Sequence, residues 1–310
     1  MNVGTTPGRS FVEPWNGRSH VADLDGPVHW AEFGEPSDLR PIVFVHGLGG
    51  SHLNWAMAAG GLSVDRRSFA LDLRGFGMTP GGWWNSTIQW NARLLGRFID
   101  EVVEEPVVLI GNSMGGMVSV LHAHHSPDSV AGLVLVDPAL PLPRRRPDLE
   151  VAAQFLTYAT PVLGELYLRV TRARLSPEQS VRRIFNLCFA EPSRADPVML
   201  SMAEELAAAR LAMPGVEVAF MATARSILAT LALPSAYWSK MKAIEAPVLL
   251  IHGEADRVVS IDSARTAAEL NPTWHTVFLT DIGHTPQLEV PDVFVEIVAE
   301  WLSTRDSLDR

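Results

Sequence analysis

Short apolar runs recur along the chain at 41–45, 68–71, 107–110, 130–136, 248–251 and 276–279. Each is of strand length and almost continuously apolar, which suits strands covered on both faces. Between them, 88–103, 114–125, 264–270 and 293–302 carry the spacing of amphipathic helices. Ahead of them, 18–23 and 27–33 flank Asp25-Gly26, a dipeptide that favours left-handed turn conformations and predicts an antiparallel hairpin. Strands alternating with helices predict an α/β fold with a mostly parallel sheet and helices on both faces.

The alternation lapses from 141 to 234. That stretch reads as alanine-, leucine- and methionine-rich helices punctuated by Pro161, Pro177, Pro192, Pro197 and Pro214, with no strand. Its entry, Pro141-Leu142-Pro143-Arg144-Arg145-Arg146-Pro147, reads as a solvated linker. The expected organisation is therefore a core domain of residues 1–139 and 236–310 carrying a helical cap, 140–235. No internal repeat is evident.

Composition narrows the function. The chain has 310 residues, 47% hydrophobic and 19% charged, with a net charge of −10, which describes an acidic globular protein and gives no sign of nucleic-acid binding. Cys188 is the lone cysteine, so neither an intrachain disulfide nor a cysteine zinc cluster is expected. The N-terminal stretch lacks the pattern of a signal peptide, and no segment approaches the ~20 apolar residues of a membrane span. The expectation is a cytoplasmic protein, monomer or homodimer, without membrane insertion.

The chemistry centres on Gly111-Asn112-Ser113-Met114-Gly115-Gly116, between a predicted strand and a predicted helix. A Gly-x-Ser-x-Gly elbow requires that context, with glycines relieving crowding at a strained turn. The helix N-terminus behind Ser113 would offer the Met114 backbone N–H to an oxyanion. A second N–H is expected from Leu48 in His46-Gly47-Leu48-Gly49-Gly50, the loop after strand 41–45. A dinucleotide fingerprint fails there, because His52 stands at the third glycine position. A serine nucleophile needs an imidazole oriented by a carboxylate. His284 and Asp256 sit in polar loops after strands 276–279 and 248–251, giving the order Ser, Asp, His.

On these motifs the chain resembles an α/β-hydrolase with a helical cap, from about residue 19 to 302. Ala70-Leu71-Asp72-Leu73-Arg74-Gly75-Phe76-Gly77 is similar to the family's turn before the nucleophile strand, and PDSVAGLVLVDP (127–138) to its sixth strand. The resemblance implies an eight-stranded, mostly parallel sheet and a carboxylesterase-like serine hydrolase with no cofactor and no metal, acting on a small-molecule ester. Serine at 113 argues against the epoxide hydrolases and haloalkane dehalogenases of the family, which use aspartate. The elbow also resembles that of carbon-carbon hydrolases acting on aromatic ring-cleavage products. Thr285 stands where those enzymes carry tryptophan. A third alternative is a triad-bearing ligand receptor.

Several residues carry a second reading. Asp137, ending strand 130–136, could compete as the acid, but Pro138 and the cap entry favour a structural role. Asp72 and Arg74 read as a buried turn network. His122, His124 and His125 read as cationic caps of a helix C-terminus rather than metal ligands. His46, Gly47 and Asn112 are candidate substrate contacts, with loop support as the alternative for His46 and elbow support for Asn112. Trp55, Trp83, Trp84 and Trp90 could line a pocket mouth or pack in the core. Met199, Met202, Met213 and Met221 pose the same choice in the cap.

Overall fold

The computed structural model describes residues 4–5, 11–141 and 149–306, so Arg144, Arg145, Arg146 and most of the expected linker lie outside the described residues. Nine strands form one sheet: β1 (Gly4–Thr5), β2 (Arg18–Asp23), β3 (Pro27–Phe33), β4 (Ile42–Val45), β5 (Ser68–Leu71), β6 (Val107–Asn112), β7 (Val130–Val136), β8 (Val248–Gly253) and β9 (His275–Leu279). Their order is β1-β2-β3-β5-β4-β6-β7-β8-β9. The eight expected strands are all present, and the two-residue β1 adds an edge. From β5 to β9 the pairs are parallel, while β1, β2 and β3 pair antiparallel. The hairpin bend uses left-handed Asp25 (φ 61°) and Gly26 (φ 107°).

The apolar runs are continuous because both faces are covered. Along β4, β6, β7 and β8 alternate residues point to opposite sides. Val43, Val45, Leu109, Leu133, Leu135 and Leu250 enter one core cluster. Ile42, Phe44, Ile110, Val134, Val136 and Ile251 enter the other. The first is closed by α2 (Ile88–Phe98) and α3 (Met114–His125), the second by α1 (Ala56–Leu62) and the final helix of the chain, Pro291–Asp306. Helix α2 ends sooner than the pattern predicts, widening into a π turn at Ile99–Val103 that left-handed Glu104 (φ 64°) terminates.

Between β7 and β8 the described residues hold helices and no strand: α4 (Leu149–Ala159), α5 (Leu163–Arg174), α6 (Pro177–Cys188), α7 (Pro197–Arg210), α8 (Val216–Leu231) and α9 (Pro234–Lys242). No single helix among the described residues is long and apolar enough to cross a membrane. This insert is fastened over the β5–α2 loop. Arg210 of α7 donates to the carbonyls of Gly75 and Gly77, Thr223 of α8 donates to Ser86 O, and Ser226 accepts the Ile88 N–H at 2.9 Å.

A second fastening lies at the far end of the sheet. The Glu289 side chain, fully buried, accepts N–H groups of Ala190 (3.1 Å) and Glu191 (3.0 Å) just after α6, and of Gly283 (2.8 Å) in the loop after β9. Arg194 adds a charged donor at 3.0 Å. Truncating this side chain leaves the buried Gly283 N–H with no acceptor, at about 1–3 kcal/mol, while the more open N–H groups of Ala190 and Glu191 can turn to water. Glu289→Ala is therefore expected to lose about 1–3 kcal/mol of stability in urea unfolding; a loss within error of zero would show the junction is held elsewhere.

At the end of α3, His122 corrects the expectation of a cationic cap, while His124 and His125 stand exposed in the last turn. His122 is buried and donates to Ser129 Oγ at 2.9 Å, and burial pulls its ring down to about 4, so it is neutral. His124 is lowered in the same direction, again chiefly by burial. His46 is likewise held at about 4 by burial. Unfolded, such rings take up a proton near the ordinary 6.5. Between these values the unfolded chain binds more protons, so stability falls as pH drops from 6.5 toward 4. His122→Gln should flatten that fall by the order of 2 kcal/mol, read from urea midpoints across this range; an unchanged slope would assign the acid sensitivity to other groups.

Candidate active site

Ser113 stands at the junction of β6 and α3 with φ 53° and ψ −116°, a conformation that costs a non-glycine residue on the order of 1–3 kcal/mol. Neighbours hold it there. Its N–H donates to Val136 O at 3.0 Å, and its carbonyl accepts from Ala139 (2.9 Å) and Met117 (3.2 Å). The turn closes because its flanking glycines have no Cβ. One on Gly111 would lie 2.6 Å from Gly115 O, and one on Gly115 would lie 2.0 Å from Val45 O. Met114 is the first residue of α3, where N–H groups lack intrahelical partners. The loop after β4 runs alongside: a Cβ on Gly47 would sit 3.3 Å from Ser113 Cβ. Leu48, next in that loop, packs against both the main core and the small apolar cluster of Tyr158, Met221 and Ala224 in the insert.

His284 follows β9 and Asp256 follows β8, so both reach the carboxyl end of the sheet where Ser113 lies. Their side chains meet, with His284 Nδ1 2.7 Å from Asp256 Oδ2. Asp256 Oδ1 accepts two further N–H groups, from Val258 (2.7 Å) and Val259 (3.0 Å). Burial alone would raise this carboxyl, but the His284 imidazole, together with His252 and the Val259 N–H, outweighs it and holds Asp256 below the ordinary carboxylate range. The His284 backbone is tied at both ends: its carbonyl accepts from Asn112 Nδ2 at 3.0 Å, and its N–H donates to Cys188 O at 2.6 Å. The Cys188 thiol is pushed up to about 12 by burial and nearby carboxylates, so it stays protonated.

Ser113, Met114, Leu48, Asp256 and His284 are thus gathered at one end of the sheet. Two of the candidate substrate contacts are corrected. His46 is fully buried, its Nδ1 donating to Gly47 O at 2.8 Å and its Nε2 accepting from Leu73 N at 3.1 Å, so no ring nitrogen remains for a ligand. Asn112 spends both amide hydrogens on Val136 O and His284 O, bracing the elbow instead. Gly47 remains beside Ser113, as backbone only.

The secondary candidates also separate. Asp72 accepts from His29 (2.7 Å), from His52 (2.9 Å) and from the Met78 N–H (2.8 Å). Those distances are hydrogen bonds, and ring protons fill the space between the ligand atoms that a metal would need. Arg74 instead reaches the carbonyls of Leu24 and Asp25. Trp55 is a core residue stacked on Phe44, whereas Trp83, Trp84 and Trp90 are exposed. Met199 packs in the core, Met221 joins the cluster against Leu48, and Met202 and Met213 are half-buried. Sequence reasoning missed Glu289 and His252. Glu289 follows His284 at no diagnostic spacing, and His252 sits inside an apolar strand where nothing marks its neighbours.

The sequence profile described as the alpha/beta hydrolase family matches residues 42–297. The chain is 26% identical over 307 residues to monoglyceride lipase of Rattus norvegicus, covering 94% of this chain and 92% of that protein. It is 28% identical over 286 residues to 2-hydroxy-6-oxo-2,4-heptadienoate hydrolase of Pseudomonas putida, covering 86% and 90%. Other curated relatives match over 118 to 121 residues, and the chain spans only 31–33% of their length. Among solved structures, a membrane phospholipase A superposes with a TM-score of 0.75 at 24% identity, covering 96% of this chain and 89% of that one, a likeness of fold alone. With the profile spanning β4 to the last helix and the sheet order above, the chain belongs to the alpha/beta hydrolase family.

Proposed function

We propose that the protein is a serine hydrolase of carboxylic esters, with Ser113 as nucleophile, His284 as base and Asp256 as the acid that orients it. The observation that carries the reading is the 2.7 Å contact of His284 Nδ1 with Asp256, on a loop braced by the residue next to the strained Ser113. Ser113 Oγ attacks the ester carbonyl carbon as its proton passes to His284 Nε2. The carbonyl oxygen becomes an oxyanion held by the N–H groups of Leu48 and Met114, at about 3 kcal/mol per donor. Collapse breaks the bond to the alkoxy oxygen, which leaves as the alcohol with the proton from His284. Water then gives a proton to His284, attacks the acyl-enzyme, and releases the acid as the proton returns to Ser113. The scheme calls for no metal or organic cofactor.

A compact apolar acyl group fits the surroundings, because Leu48 is shared between the loop beside Ser113 and the insert's cluster of Tyr158, Met221 and Ala224. In this reading the insert, 140–235, acts as a cap over the site. By its name the monoglyceride lipase relative cleaves lipid esters, in keeping with an ester substrate. A second reading, a carbon-carbon hydrolase, draws on the Pseudomonas putida relative named for a dienoate substrate.

Purified protein should hydrolyse p-nitrophenyl esters, with an optimum at short to medium acyl length. Ser113→Ala should lower kcat by about 10³-fold or more. Wild-type silence on every ester, with Ser113-dependent turnover of ring-cleavage dienoates, would transfer the assignment to the second reading. Turnover retained in Ser113→Ala would sink both.

A further inference from the structure

Asp137 was expected to be a structural residue at the end of a strand, yet its surroundings are those of a reacting site. It follows β7 with φ 42°, a strained backbone for an aspartate, and it is fully buried. One of its carboxylate oxygens lies within 4.8 Å of a carboxylate oxygen of Asp256 and of a ring nitrogen of His284. Oδ1 accepts the Gly253 N–H at 2.9 Å, but buried Oδ2 receives no donor.

The groups facing Asp137 are chiefly acceptors. Asp256 is one. His252 is another: its Nε2 donates to Val259 O at 3.0 Å, so the Nδ1 lying 3.6 Å from Asp137 Oδ1 presents a lone pair. Burial lowers the His252 ring and favours that neutral form. Glu289 adds negative charge nearby, and the Cys188 thiol is near enough to feel Asp137. An ionised Asp137 would hold a buried charge beside a second carboxylate, balanced by one N–H, which is a costly arrangement. A carboxylic acid removes the conflict, since a proton on the orphan oxygen turns an unpaired acceptor into a donor facing the Asp256 carboxylate, whose nearest oxygen lies within 4.8 Å of this group.

We propose that Asp137 is a positioning residue of the Ser113 site, a carboxylic acid whose O–H is donated to Asp256 and holds that carboxylate against His284. The inference rests on the Ser113, Asp256 and His284 reading above. Burial first, and then the Asp256 charge, push the Asp137 carboxyl well above its ordinary range, in agreement with the geometry. The pair then carries one negative charge, divided by a shared proton. Asp256 gains a further donor beside Val258, Val259 and His284, and with it a weaker pull on a protonated imidazole.

The test is the pH dependence of Ser113 labelling by a fluorophosphonate, which reads the nucleophile without a natural substrate. Asp137→Asn keeps one acceptor for Gly253 and one donor for Asp256, so the midpoint of the acid limb should stay within about 0.3 pH unit of wild type. Asp137→Ala removes the donor, leaves more charge facing His284, and should raise the midpoint by about 0.5 to 1 unit. A midpoint unmoved in a folded Asp137→Ala overturns the proposal. So does a fall in Asp137→Asn, which would mean that a negative charge had been removed, and this variant decides the matter if the alanine protein does not fold. Labelling that persists in Ser113→Ala would defeat the nucleophile assignment instead, an outcome separate from either shift.

Discussion

A serine at φ 53° is stable only where the surrounding chain leaves it no other conformation, and most of the fold around Ser113 serves that end. The strain is held by a carbonyl from β7, by Ala139 beyond it, and by the approach of α3 to β4, which the bare Cα of Gly115 permits. Those contacts exist because β4, β6 and β7 lie side by side in a sheet buried on both faces. Such a sheet is rigid enough to store strain at its edge. The cost is met by packing far from the Ser113 side chain.

The same edge collects polar groups that the interior would otherwise reject. Loops after β4, β6, β7, β8 and β9 bring His46, Ser113, Asp137, Asp256 and His284 together, as parallel sheets do at their carboxyl ends. Burial there sorts protonation states. His46 is held neutral, Asp256 is held ionised by its imidazole, and Asp137 is driven the other way. Two aspartates of one chain thereby receive opposite characters from position alone.

Much of this was legible in the sequence where one residue type has one physical reason to be present. Apolar runs marked every strand from β4 to β9, although β6 extends through Gly111 and Asn112, which carry no apolar signal. The glycines of the elbow and the loop positions of Asp256 and His284 could be read because each follows a strand. What stayed hidden depended on neighbours distant in sequence. His122 of α3 looked like a cation until burial was known, and Asn112 looked open to a ligand until Val136 and His284 claimed its amide. Glu289 showed nothing, because all its partners but Gly283 lie about a hundred residues upstream.

The bond from the His284 N–H to Cys188 O joins the loop that carries the imidazole to the main chain of the insert. Glu289 repeats that union through Ala190, Glu191 and Gly283. The segment that follows α6 and the loop that carries His284 therefore share a scaffold. Grafting the insert of one relative onto the core of another would not exchange the insert alone; it would also reset the seating of the imidazole. In this chain a change in the insert is felt at His284 through the backbone.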